Sequence, residues 1–345
     1  MVVAHACTLG IYFLLGPLRT GYIPGLLISL LAAPFFIGNA RPVYILTFSE
    51  RLRMKLLDAP DNVECLLESN GYVLWPPEED NRPRGHVLYA TKRSDGTSLV
   101  VKCTRKGDSE SRMMTYFYYL RRQGTNLPIT GKYIACCHPC LPQGSKNCFA
   151  DIMDIIEDAK SNTILLVLKH WGRSLAELGR LSPPDFFHIL RQCFKAVSVL
   201  HAMGIAHLDI SCYNFLCNSK KQVAIIDFEA SRYFNESETV RSKCHPQLNS
   251  HSIYPCRTTE IPPEFRAEDA YQRRHCAYKL DIFALGVLVL RFAKSSGFDC
   301  PRLVLLAEPL VACDPMRRPT AGEALIWFHK WCERVGVVLP GCGLD

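Results

Sequence analysis

The hydrophobic pattern of this chain of 345 residues changes twice along its length. Residues 1–18 hold no Asp, Glu, Lys or Arg, and after Arg19 the stretch from Thr20 to Ala40 is again uncharged. Its centre, Leu26 to Ile37, is mostly apolar and long enough to cross most of a bilayer. Arg41, Arg51, Arg53 and Lys55 follow it, against Arg19 alone before it. That bias would place the C-terminal body in the cytoplasm. A cleaved secretory signal fits less well, because no basic residues precede the first apolar run. Residues 20–40 are therefore a candidate membrane anchor within a hydrophobic N-terminal segment, 1–57. Pro24, Gly25 and Pro34 weaken a straight helix and leave a buried hairpin or an aberrant N-terminus as the alternatives.

From Asp58 the pattern becomes that of a soluble body. A polar, proline-punctuated stretch carries Glu78-Glu79-Asp80, and alternating apolar positions then predict strands over His86 to Thr91 and Ser98 to Cys103. Ser94-Asp95-Gly96 supplies the turn between them. Residues 109–123 read as a helix ending before Gly124, and Ile152 to Glu157 with Thr163 to Leu168 read as a second strand pair. The period then changes from two to nearly four. Phe186, Phe187, Leu190, Phe194, Val197 and Leu200 recur at helical spacing behind an N-cap at Ser182 and a first-turn Pro183. Leu280 to Phe292 and Ala321 to Trp331 read as further helices. The expected fold class is α+β and bilobal, with a small β-rich lobe over 58–168 and a larger helical lobe over 169–345.

Composition narrows the function classes. A charged fraction of 21% and a net charge of +7, with no block of like charge beyond three residues, give no nucleic-acid footprint. The seventeen cysteines are scattered and odd in number, which fits free thiols in a reducing compartment. Cys136-Cys137-His138-Pro139-Cys140 is dense enough to suggest zinc, but no second pair completes a ligand set.

The chemistry concentrates in His207-Leu208-Asp209-Ile210-Ser211-Cys212-Tyr213-Asn214, followed by Asp227-Phe228-Glu229. An acid, an amide and a second acid at this spacing suit phosphoryl transfer, which needs a group to orient a hydroxyl and hard oxygens to hold metal. The run resembles the catalytic loop and metal-binding triplet of protein kinases. The resemblance extends over roughly 82–335 and is similar in local style to divergent fungal kinase-like proteins. It implies an ATP- and Mg2+-dependent enzyme that phosphorylates Ser or Thr of an unspecified protein. By the same resemblance Asp209 is the catalytic acid or base, and Asn214 and Asp227 are metal ligands. Lys102 pairs with the nucleotide phosphates, and Glu110, with Met114 and Phe117 on one helical face, is its partner. The hinge from Lys169 to Trp171 receives adenine, and Gly85 marks the phosphate-covering loop. Pro262-Pro263-Glu264 and Arg318 form a buried pair, and Asp281 braces the catalytic loop.

Four departures bear on activity. Gly85 stands alone where the family has three glycines. Leu208 replaces an arginine that senses activation-segment phosphate, Ser211 replaces a phosphate-contacting cation, and Glu229 replaces glycine. A pseudokinase that binds without turnover, and a small-molecule phosphotransferase, are the competing readings.

Overall fold

The computed structural model describes residues 63–75, 87–122, 148–234, 247–248, 261–265, 275–298 and 301–337. The candidate anchor at 20–40, Gly85 and the Cys136–Cys140 cluster lie outside the described residues. Among the described residues no helix is long and apolar enough to cross a membrane.

The first lobe is a five-stranded antiparallel sheet preceded by a short helix. Helix α1 (Val63–Ser69) leads to β1 (Tyr72–Leu74), β2 (Val87–Lys92) and β3 (Ser98–Arg105). Helix α2 (Ser109–Arg122) follows, then β4 (Ile152–Glu157) and β5 (Thr163–Lys169), in the spatial order β1-β2-β3-β5-β4. Because side chains alternate along a strand, β3 turns Leu99, Val101 and Cys103 to one face. There they pack with Leu165, Val167, Ala90 and Leu67 in a small core. Lys102 therefore points to the opposite face, where Leu166, directly across the ladder, joins Phe117 and Met114 of α2 in the main core.

Helix α1 and β1 correct the expectation of a merely polar entry segment. Val63 and Leu67, one turn apart, are buried, and Asn70 and Gly71 close the helix through N–H bonds to Leu67 and Glu68. Gly71 takes φ +83°, a left-handed conformation that glycine adopts without a Cβ clash. Two apolar positions and a three-residue strand were too short to register as a period.

In the second lobe β6 (Arg173–Ser174) and a 3-10 turn precede α3 (Pro183–Ala202). Next come β7 (Ile205–Ala206), β8 (Phe215–Cys217), β9 (Val223–Ile225), β10 (Arg232–Tyr233), β11 (Gln247–Leu248) and β12 (His275–Cys276). Helices α4 (Ala277–Ser295), α5 (Arg302–Ala307) and α6 (Ala321–Arg334) end the described chain. Ser182 caps α3 by accepting the Asp185 N–H at 3.3 Å, and Thr320 with Glu323 forms a capping box on α6. Helix α4 is buried on nearly every side, as expected for a helix that is apolar all round. Gly286 lets it approach the segment after α5, for a Cβ there would lie 2.7 Å from Val311 Cγ1.

Candidate active site

Three elements place the charged centre. Alternation on β3 directs Lys102 inward, and α2 presents Glu110 from its first turn. The chain after β9 brings Asp227 to the same ammonium. Lys102 Nζ lies 2.6 Å from Glu110 Oε1 and 2.9 Å from Asp227 Oδ1. Burial opposes the ammonium charge, but Asp227 and Glu110 override it and hold Lys102 above the usual lysine range. Burial pushes the Glu110 carboxyl up against the pull of Lys102, and Asp227 and Glu229 add to that push. Among the described residues, two carboxylates meet the one ammonium of Lys102.

The catalytic loop is pinned from below by α4. Asp281 Oδ2 accepts the His207 N–H and Oδ1 the Leu208 N–H, both at 2.7 Å. His201 Nε2 lies 2.9 Å from the same carboxylate. These bonds hold Leu208 at φ +63°, a left-handed conformation that costs a non-glycine residue about 1–2 kcal/mol. Asp227 is held likewise at φ +65°, between the Ile226 N–H bonded to Asn214 O and the buried ring of Phe228. Asn214 Nδ2 donates to the Asp209 carbonyl at 2.8 Å and to its Oδ2 at 2.9 Å. With its amide nitrogen committed to Asp209, Asn214 keeps its amide oxygen as a hard donor.

His207 ties the two acidic segments together. Its Nε2 donates to the Ile226 carbonyl at 3.0 Å while Nδ1 accepts the Asp209 N–H at 3.3 Å, the tautomer this network requires. Burial lowers its pKa, so the ring is neutral. Phe228 packs edge-on against both His207, at 5.0 Å, and Phe117 of α2, at 5.1 Å. Phe149 stacks on Phe117 at 4.3 Å. One aromatic column thus couples Glu110's helix to the catalytic loop.

The hinge residues occupy the end of β5 and the turn beyond it. The Lys169 N–H is bonded to Asp151 O and the His170 N–H to Ser98 O. The Trp171 ring donates to Gln222 O at 3.4 Å. The Lys169 side chain is exposed. Gly172 is needed where the chain crosses β8, because a Cβ would sit 2.3 Å from Cys217 O.

The structure brings Lys102, Glu110 and Asp227 into one cluster and Asp209 and Asn214 into another. Gly85 falls in the connection between β1 and β2, outside the described residues. Glu264 and Arg318 meet in a two-pronged pair at 2.7 and 2.6 Å. Sequence reasoning missed Phe149, which no period flags, and Ser231, whose hydroxyl donates to the His207 carbonyl and whose carbonyl accepts the Ser109 hydroxyl. These two serines join the start of α2 to the segment after Asp227. Neither carries a recognisable motif. Ser211 is buried, and its Oγ has no hydrogen-bond partner among the described residues.

Comparison with known proteins agrees with this geometry. The serine/threonine-protein kinase STE20 of Candida glabrata is 22% identical over 189 residues, covering 54% of this chain and 18% of that protein. The phosphorylase b kinase gamma catalytic chain, liver/testis isoform, of Mus musculus is 28% identical over 195 residues, covering 54% and 43%. A probable myosin light chain kinase of Dictyostelium discoideum is 28% identical over 112 residues, covering 31% and 36%. The chain thus spans less than half the length of each of these relatives. A family model described as the protein kinase domain matches residues 84–298. That match takes in every one of the charged side chains just described except Arg318 and covers more than half of the sequence: the chain belongs to the protein kinase family.

Proposed function

We propose that the chain is an active, ATP- and magnesium-dependent kinase that phosphorylates Ser or Thr hydroxyls of protein substrates. The observation that carries this reading is the simultaneous contact of Lys102 Nζ with Glu110 and Asp227 beside an Asp209–Asn214 hydrogen bond. Phosphoryl transfer depends chiefly on positioning and charge stabilisation, and an assembled cluster of this kind supplies both.

Lys102, steadied by Glu110, binds the α- and β-phosphates. The Asp227 carboxylate and the Asn214 amide oxygen fit a magnesium ion, being hard oxygen donors with the Glu110 and Glu229 carboxylates close by. Magnesium when bound would neutralise charge on the phosphates. Asp209 orients the acceptor hydroxyl and takes its proton as the hydroxyl oxygen bonds to the γ-phosphorus. The bond from that phosphorus to the bridging oxygen breaks, and ADP leaves. Adenine is read at the hinge between 169 and 171, with the lobes divided at 168/169.

Leu208 bears on regulation. It is buried with Phe265 and Leu280, so apolar packing occupies the place of a phosphate sensor. Transfer is accordingly insensitive to phosphatase treatment of the protein. A pseudokinase is the second reading, favoured by Ser211, which offers a buried hydroxyl where a cation would aid transfer, and by the added carboxylate of Glu229.

Full-length protein is incubated with labelled ATP, magnesium and generic protein acceptors. Transfer that disappears in Asp209→Asn is the expected result. No transfer, together with no thermal shift on adding magnesium and ATP, sinks the enzyme reading. A thermal shift without transfer selects the pseudokinase. Membrane attachment through residues 20–40, motivated by their uncharged run, is checked by fractionating full-length protein against a form lacking residues 1–40.

A further inference from the structure

On the second lobe, α5, α6 and the turn at Pro315–Arg317 enclose a groove of about 1010 Å³ that neither Lys102 nor Asp227 lines. Its apolar wall includes Leu305, Trp327 and Trp331. Leu305 is 54% exposed because α5 is one short helix that turns Leu303 and Leu306 to the core and leaves Leu305 outward. Trp327 is fixed by donation from its ring N–H to Leu306 O at 3.3 Å. A tryptophan held in place before a partner arrives loses little freedom on binding, and such residues anchor interfaces.

The charges at this groove are of unequal availability. Arg302, Arg317 and Arg334 line it with Glu308 and Asp314. Asp314 is occupied, for it accepts the Met316 N–H at 2.9 Å and faces Arg317 Nε at 3.8 Å. Arg334 lies over the Trp327 ring, 5.6 Å from its centre, and both it and Arg302 are exposed. Two guanidiniums thus flank an apolar floor, with Glu308 as the other acid.

We propose that this groove docks an acidic, apolar peptide segment of a partner protein. Aliphatic or aromatic side chains lie against Leu305 and Trp327, and carboxylates of the segment pair with Arg302 and Arg334. A nucleic-acid strand fits less well, since its continuous phosphates would meet Glu308 as well as the arginines. The groove contains none of the residues assigned to phosphate transfer, so this inference stands or falls separately from the proposed activity.

The test titrates full-length protein with a fluorescein-labelled peptide of repeating Glu-Leu-Asp-Phe and reads anisotropy. Saturable binding is expected. It weakens at least tenfold in the double variant Arg302→Glu/Arg334→Glu and in Leu305→Asp, an exposed position where folding should survive. Asp209→Asn binds as the parent does. Urea midpoints of the variants, matched to the parent, tie the loss to the groove. Added salt weakens binding, because Arg302 and Arg334 are exposed and their charges are screened. No saturable binding overturns the proposal, as does equal binding of a Lys-Leu-Lys-Phe counterpart or unchanged binding by the double variant. Displacement of the acidic peptide by single-stranded oligo-dT at equal or lower concentration also overturns it, because the groove would then be reading a polyanion.

Discussion

Two buried ion pairs in this molecule have opposite characters. At Arg318 the guanidinium is nearly saturated, with four of its five N–H donors committed: it donates to both oxygens of Glu264, to Ala312 O and to Lys279 O, and lies over the Phe283 ring. At Lys102 one ammonium faces two carboxylates, with Glu229 near enough to raise Glu110 further. The first arrangement is balanced in charge and works as a lock between the turn at Pro263–Phe265 and the helical lobe. The second, among the described residues, sets two carboxylates on one ammonium and suits a site that takes up a cation with its substrate. Saturation marks structure, and imbalance marks function.

The comparison breaks most sharply at Arg318. Arg318→Ala strands Glu264 against the lobe and should lower unfolding free energy by about 3–5 kcal/mol, read from urea denaturation. Next in size, Asp227→Asn should reduce phosphate transfer by at least about 10²-fold while leaving the urea midpoint equal or higher. A large stability loss there would mean that Asp227 is a lock like Arg318. Glu110→Gln keeps a hydrogen-bonding partner for Lys102 but removes one charge. It should lower transfer by roughly tenfold, about 1.4 kcal/mol on the barrier, without loss of stability.

The smallest effect is one of pH. His207 holds a pKa below its ordinary 6.5, mainly through burial. The neutral ring's stabilisation is present above pH 6.5 and is lost as pH falls toward the folded-state value, because the unfolded histidine binds a proton that the folded one resists. The slope is at most about 1.4 kcal/mol per pH unit. Urea midpoints measured from pH 7.5 to 5.5 should fall for the parent and fall less for His207→Phe, which keeps the ring contact with Phe228. His188 and His329, also lowered mainly by burial, add slope of the same sign, while the raised carboxyl of Glu110 adds slope of the opposite sign.

Much of this was legible in the residues because it was periodic or spaced. Strand alternation located β2 to β5 within two residues, and the stripe from Phe186 to Leu200 located α3. The run from His207 to Asp227 gave the site its acids, since catalytic-loop spacing is local in sequence. Arg318 and Glu264 paired as expected, because both sit beside prolines that mark their segments. What escaped was short or solitary. Helix α1 has only two buried positions, and Phe149 stands outside any repeat. Ser109 and Ser231 meet across 122 residues through one hydrogen bond, and small polar residues give no sign of distant partners. Leu208 looked like a missing arginine, but its neighbours turned it into a packed side chain.

The grip of Asp281 on the catalytic loop has a consequence for hydrogen exchange. Loops usually exchange their amide protons through local fluctuations, well before the protein as a whole unfolds. The His207 and Leu208 amides, however, are bonded to a carboxylate that issues from the most deeply enclosed helix of the molecule. Releasing them to solvent means displacing the buried Asp281 carboxylate from its place in the core. These two loop amides should therefore exchange as slowly as the interior of α4 itself, making the loop dynamically part of the core.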